Sequence, residues 1–170
     1  MFADIILLNG TSSAGKTSLA RALQQRAGAP LLHASLDTFT DMFLWEAITD
    51  PAQQSACHTT GVDHFHRALA MLAAGSFGIV VDHVLERPAW YDATQAALAG
   101  RRVYFIGVRC PLAVVEARER ARPERRQGLA AAQFGHVHRN QTYDFEVDTS
   151  LATPDECADQ VLAFIRRLPA

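Results

Sequence analysis

Gly10-Thr11-Ser12-Ser13-Ala14-Gly15-Lys16-Thr17 matches the pattern G-x-x-x-x-G-K-[ST] in full. Such a loop serves phosphate only where a strand delivers the chain into it and a helix carries the chain away. Both flanks meet that condition. Asp4 to Asn9 is a short run rich in Ile and Leu that stops at a glycine, as a strand buried on both faces does. Thr17 to Arg26 places Leu19, Ala20 and Leu23 at helical spacing, and Gly28 with Pro30 ends that helix. Gly10 and Gly15 permit backbone angles and a close approach that side chains would block, so successive N–H groups can face an anion. The helix that follows adds the positive end of its dipole. Lys16 adds a point charge for the β- and γ-phosphates of a nucleotide, and the Thr17 hydroxyl a ligand for Mg²⁺. Gly10, Thr11, Ser12, Ser13, Ala14, Gly15, Lys16 and Thr17 are therefore the expected phosphate-binding residues; a flexible glycine turn is the bland alternative.

Outward from this loop the pattern alternates. Leu31 to Leu36 reads as a second strand, Asp37 to Ala47 and Val62 to Ala74 as helices, while Thr49 to Thr60 is polar, broken by Pro51, and carries no assignment. Gly78 to Asp82 and Arg102 to Val108 are strands by β-branched content, with a helix from Pro88 to Leu98 between them. Pro111 opens a further helix, the arginine-rich stretch Arg118 to Arg126 interrupts the pattern, and Phe145 to Asp148 is a brief fifth strand. Thr153-Pro154-Asp155-Glu156 is a capping box with proline at the first helical position, and Ala158, Val161, Leu162, Ile165 and Leu168 give the last helix its apolar stripe. Strands alternating with helices predict an α/β, three-layer P-loop fold: a five-stranded parallel sheet flanked by helices, one domain over residues 1–170. In such sheets ligands bind beyond the carboxyl ends of the strands, which here are followed by Gly10, Asp37, Asp82, Arg109 and Asp148.

Asp82 closes the run Ile79-Val80-Val81 and can hold Mg²⁺ together with Thr17; the alternative is a turn-capping aspartate. His83 and Glu86 beside it read as substrate-facing candidates or, more simply, as surface residues. Asp37 can orient a substrate hydroxyl and take its proton, or it can cap the helix after it, with Asp41 a competing base one turn on. Arg118, Arg120, Arg122, Arg125 and Arg126 lie where kinases of this architecture carry a mobile lid, expected over about residues 118–138. Guanidinium groups there would stabilise charge on a transferring phosphoryl group, although part of the cluster reads as a solvated helix face. His64 with His66 and His136 with His138 invite a metal reading, but alternate helical residues diverge and no third ligand is evident. Met42, Phe43, Leu44 and Trp45 line an apolar acceptor pocket or simply pack.

A formal charge of -2 gives no general attraction to nucleic acid or to an acidic membrane. Cys57, Cys110 and Cys157 suit neither a disulfide framework nor zinc, and the short apolar start has no basic leader; the expectation is a cytoplasmic protein with no membrane partner.

The chain resembles the chloramphenicol phosphotransferase-like kinases. The likeness runs through Leu8-Asn9-Gly10-Thr11-Ser12-Ser13-Ala14-Gly15-Lys16-Thr17, Asp37, and Val80-Val81-Asp82-His83-Val84. It continues in Gly107-Val108-Arg109-Cys110, Arg118-Glu119 through Ala121-Arg122 to Arg125, Gly128-Leu129-Ala130, Gln133, Val137-His138 and Tyr143 to Thr149. The resemblance implies a fold of the nucleotide- and shikimate-kinase kind and transfer of the ATP γ-phosphate, with Mg²⁺, to a primary hydroxyl of a small antibiotic. Asp37 would be the base and the Arg122 to Arg125 region the lid. The departure lies between Thr38 and Val62, which is shorter than in the family's namesake and should form much of the acceptor pocket. Two alternatives remain open. One is a kinase of a nucleoside, nucleotide or shikimate-like metabolite; the other is a nucleotide-binding switch, for which no guanine-reading Asn-Lys-x-Asp segment is found.

Overall fold

Ile5, Ile6, Leu7 and Leu8 are all fully buried, so the first strand needs apolar cover on both faces. In the computed structural model, which describes residues 4–122 and 127–169, that strand is the centre of the sheet. Strands β1 (Ile5–Asn9), β2 (Leu31–Ser35), β3 (Gly78–His83), β4 (Val103–Arg109) and β5 (Phe145–Asp148) run parallel in the order β2-β3-β1-β4-β5. Between them lie α1 (Lys16–Arg26), α2 (Leu36–Thr40), α3 (Pro51–Ala73), α4 (Pro88–Ala97), α5 (Leu112–Arg120) and α6 (Leu129–Phe134), and α7 (Pro154–Arg167) follows β5.

Strand alternation sorts the core into two layers. Ile6, Leu8, Val80, Tyr104, Ile106 and Val108 face the cover that includes α1 and α7. Ile5, Leu7, Ile79, Val81 and Phe105 face the layer that includes α3. The first and last helices are also joined at the surface, where Arg26 on α1 pairs with Asp155 and Asp159 on α7. The predicted capping box starts α7: Glu156 N donates to Thr153 Oγ1 at 3.3 Å and Thr153 N to Glu156 Oε2 at 2.8 Å.

The structure differs from the sequence expectation in the middle of the chain. Pro51 begins a helix instead of breaking one: it occupies the first turn of α3, and Asp50 Oδ1 accepts from Ala52 N at 3.1 Å. The unassigned stretch Thr49 to Thr60 is thus largely the start of a 23-residue helix. Conversely, the helix expected over Asp37 to Ala47 stops at Thr40, and only a single 3₁₀ turn, Trp45–Ala47, follows. The Thr40 carbonyl, which would have continued the helix, instead accepts from Trp45 Nε1 at 2.9 Å and Phe43 N at 3.2 Å. Among the described residues no helix is long and apolar enough to cross a membrane.

Register brings the strand ends together. Asn9 lies opposite His83 and Gly107, Ser35 opposite Asp82, and Arg109 opposite Asp148.

Candidate active site

β1 ends at Asn9 and the chain turns at once through Gly10. A Cβ there would stand 2.5 Å from Val108 O of β4, closer than side chains come to backbone, so only glycine lets the loop leave the sheet at this point. Gly15 enters α1 at φ 92°, in the left-handed region. Between them the loop is braced from outside. Thr149 Oγ1 donates to Ala14 O at 2.7 Å, and Arg118 Nη1 reaches Ser13 O at 3.5 Å. Arg118 in turn donates to Thr149 Oγ1 at 3.0 Å and to Thr149 O at 2.7 Å, while Thr149 N donates to Arg109 O at 3.0 Å. The end of β5 and helix α5 therefore hold the loop's carbonyls away from its interior. Lys16 is 7% exposed, and its Nζ donates to Thr11 O at 2.9 Å, across the loop that it follows. Ser13 adopts φ 60°, and its buried hydroxyl has no hydrogen-bond partner among the described residues.

Thr17 and Asp82 meet. The Thr17 hydroxyl donates to Asp82 Oδ2 at 2.7 Å, joining the first turn of α1 to the end of β3. His33 Nε2, on the neighbouring strand, stands 3.6 Å from the same oxygen, just beyond hydrogen-bond reach. Burial pushes the Asp82 carboxyl up, but His33, Lys16 and Thr17 together outweigh it and hold the group below its ordinary value. A charged, buried carboxylate beside a hydroxyl is the oxygen donor set that a hard divalent cation takes.

Asp37 lies in the first turn of α2, half-buried; Ser35, not Asp37, occupies the N-cap position. Asp41 is exposed at the C-cap, its amide donating to Asp37 O at 2.8 Å. Beyond it Met42 and Leu44 are 71% and 69% exposed, whereas the rings of Phe43 and Trp45 pack at a tilt with centroids 5.6 Å apart. The candidate apolar acceptor wall is thus divided, two residues packed and two open.

His83 is not the surface residue that the simpler sequence reading gave. It is buried, wedged between Phe65 and Trp90, and its Nε2 lies 3.1 Å from His66 Nε2. Val84 N donates to His83 Nδ1 at 2.9 Å, which makes Nε2 the protonated nitrogen and His66 the acceptor. Burial and the neighbouring His66 push His83 down to about 3. His66 is also lowered, by burial. His138 Nδ1 lies 2.7 Å from the Tyr143 hydroxyl, and His138 is pushed down to about 4 by burial and by Arg109, while His136 is exposed. Among the described residues no group of three or more His, Cys, Asp or Glu side chains could hold a metal ion.

The arginine cluster separates into different environments. Arg118 braces the Gly10–Thr17 loop, whereas Arg120 and Arg122 are exposed, and Arg125 and Arg126 lie outside the described residues. Glu119, buried, turns back to accept from Gly128 N at 2.8 Å and Ala130 N at 2.9 Å, so it caps the start of α6. Three more residues with no role assigned from sequence join this region: Asn9, Gln133 and Thr149. Their side chains cross between segments far apart in the chain, and no spacing rule reports such contacts.

A shallow, open depression lies beside the braced loop, lined by Arg118, Thr149, Ser150, Leu151, Pro154 and Glu156 among others. Comparison with known proteins agrees with the geometry. The model of the family described as chloramphenicol phosphotransferase-like protein matches residues 3–166. The chain belongs to this family. A relative from Mycobacterium tuberculosis (strain H37Rv), which carries the provisional name O-phosphotransferase, is 30% identical over 88% of this chain and 76% of its own length. Two solved structures share the fold. The Mycobacterium tuberculosis APS kinase, in complex with AMPPNP and APS, aligns with a TM-score of 0.72 at 15% identity, covering 96% of this chain and 98% of its own. The shikimate kinase of Acinetobacter baumannii, in complex with shikimate, aligns with a TM-score of 0.66 at 15% identity, covering 99% and 97%. As a member of this family, the chain is a phosphotransferase of the P-loop kinase kind.

Proposed function

We propose that this enzyme transfers the γ-phosphate of ATP to a hydroxyl of a small molecule, with hydroxylated antibiotics of the chloramphenicol type the first acceptors to test. The observation that carries the reading is the 2.7 Å contact between Thr17 and Asp82 at the end of a glycine-framed, outward-braced loop. The residues fit the groups they would receive. The unpartnered Ser13 hydroxyl and the amides of Gly15, Lys16 and Thr17 suit phosphate oxygens. Thr17 and Asp82 would hold Mg²⁺, which would supply positive charge to offset that of the nucleotide phosphates. The depression between Arg118 and Pro154 suits the nucleotide base.

In the transfer, the acceptor oxygen forms a bond to the γ-phosphorus as the bond to the leaving ADP oxygen breaks, and Asp37 takes the hydroxyl proton. Lys16 leaves the Thr11 carbonyl for the phosphates. Within the lid stretch of about residues 118–138, Arg122 and Arg125 would close over the phosphoryl group and exclude water, while Arg118 and Gln133 stay bonded to the loop after β1. The domain works as one unit over residues 1–170. The deciding experiment is calorimetric titration of the wild-type protein with AMPPNP and Mg²⁺, followed by ADP release across a panel of hydroxylated antibiotics, nucleosides and hydroxylated metabolites. Turnover with an antibiotic alcohol supports the reading; turnover confined to a metabolite moves the acceptor; absence of nucleotide binding ends it.

A further inference from the structure

Gln133 is 3% exposed on α6, yet its side chain is fully engaged by segments far away in sequence. Its Oε1 accepts from Ser12 N, in the middle of the phosphate-binding loop, at 2.7 Å. Its Nε2 donates to Glu86 Oε1, in the loop between β3 and α4. The orientation of the carboxamide follows from its partners, because an amide N–H can only donate and a carboxylate can only accept. A second amide does the same job one step away. Asn9, fully buried, donates to Val137 O at 3.1 Å and to Tyr143 Oη at 2.8 Å, and accepts from Leu85 N at 2.9 Å. Asn9 and Ser12 flank Gly10-Thr11, Leu85 and Glu86 are adjacent, and Gln133 and Val137 are one turn apart, with Val137 N donating to Gln133 O at 3.0 Å. Two side-chain amides thus form parallel rungs joining the same three segments.

We propose that Gln133 is a positioning residue that sets the gap between the phosphate-binding loop and the β3–α4 loop. The proposal rests on the reading of residues 10–17 as the donor site. No other side chain of this length both accepts from Ser12 and donates to Glu86. A glutamate at position 133 accepts but cannot donate, and it sets two carboxylates against each other; a methionine does neither. The gap matters because the nucleotide is held on one side of it and the β3–α4 loop borders the acceptor side, and misplacement of reacting groups by about 1 Å costs on the order of a hundredfold in rate.

The test reads the bridge first and nucleotide second. In Gln133→Met, hydrogen exchange of the Ser12 amide, followed by NMR on the full chain, rises about tenfold or more, and the dissociation constant for Mg²⁺ with AMPPNP rises severalfold. Gln133→Glu weakens nucleotide binding similarly. The reciprocal double substitution Gln133→Glu with Glu86→Gln restores it, since the exchanged pair can again accept from Ser12 and donate across. Glu86→Ala alters a partly exposed loop residue, so it carries the same test if the Gln133 variants fold poorly: nucleotide binding weakens severalfold at a temperature where the variant is still fully folded, and unchanged binding there overturns the proposal. Unchanged Ser12 exchange in Gln133→Met, or a double variant no tighter than Gln133→Glu alone, overturns the proposal. The two readings fail differently. If wild-type protein does not bind AMPPNP the kinase reading falls, whereas wild-type binding with no effect of these substitutions removes only the bridge.

Discussion

The two sides of the cleft are built differently. On one side, the loop after β1 is braced by Thr149 and Arg118, its lysine is folded onto Thr11, and its threonine is tied to Asp82. On the other side, the chain after Asp37 makes a short helix and a single 3₁₀ turn, and leaves Met42 and Leu44 in solvent. The contrast teaches that the loop after β1 is tied down by bonds within the protein itself, whereas the chain after Asp37 leaves apolar side chains in solvent. Burying a side chain such as Leu44 or Met42 is worth about 1.5–3 kcal/mol, so an apolar acceptor would gain affinity by covering them.

The largest break in this comparison should come from Lys16→Ala. Loss of one positive charge at a developing anion costs on the order of a hundredfold to a thousandfold, so single-turnover ADP formation should nearly vanish. Asp37→Asn should lower kcat by about a hundredfold while ATP affinity, measured by titration, stays near wild type; equal loss in both would place Asp37 on the donor side instead. Gly10→Ala tests the brace: with Val108 O only 2.5 Å from the new methyl, overpacking of about 1–3 kcal/mol should appear as a lower midpoint in urea unfolding.

Acid should weaken the folded protein by way of its histidines. The folded-state values of His83 and His138, about 3 and about 4, lie below the ordinary 6.5, so the unfolded chain binds protons that the native state refuses. Stability is therefore fully present above about pH 6.5 and declines as pH falls towards those values, by about 1.4 kcal/mol per pH unit for buried His83 alone. Asp82, held low, adds loss in the same direction at more acid pH. Urea midpoints measured from pH 7.5 to 4.5 check the slope; a flat profile would contradict the buried histidine pair. The smallest effect is expected from Met42→Ser with Leu44→Ser, within about 0.5 kcal/mol of wild-type stability, but with a raised KM for an apolar acceptor.

The stretch from β1 into α1 was legible in the sequence because its signals are local. Ile5 to Leu8 declare a doubly buried strand, Gly10 to Thr17 a glycine-framed turn into a helix, and Thr153 to Glu156 a helix start, each within a single turn or strand. The stretch after Asp37 was not, because its outcome depends on competition at particular atoms. Trp45 takes the Thr40 carbonyl and ends α2 early, while Asp50 rescues Pro51 as a helix start. His83 looked like a surface residue because the partners that bury it, Phe65, His66 and Trp90, come from the helices α3 and α4. Arg118 and Gln133 belong to the same class: composition shows a guanidinium and a carboxamide, but only the fold shows that both reach the phosphate loop.

The central place of β1 in the sheet has a consequence for biosynthesis. Both neighbours of this strand, β3 and β4, are translated long after it, and α7, which covers one of its faces, comes last. As the chain leaves the ribosome, Ile5 to Leu8 must wait for residues 78–83 and 103–109 before their backbone groups can pair. Long-range parallel pairing of this kind is slow, and an unpaired apolar strand is open to association with other nascent chains. Soluble yield should therefore depend on how well the cell shields the first strand until the last helix is made.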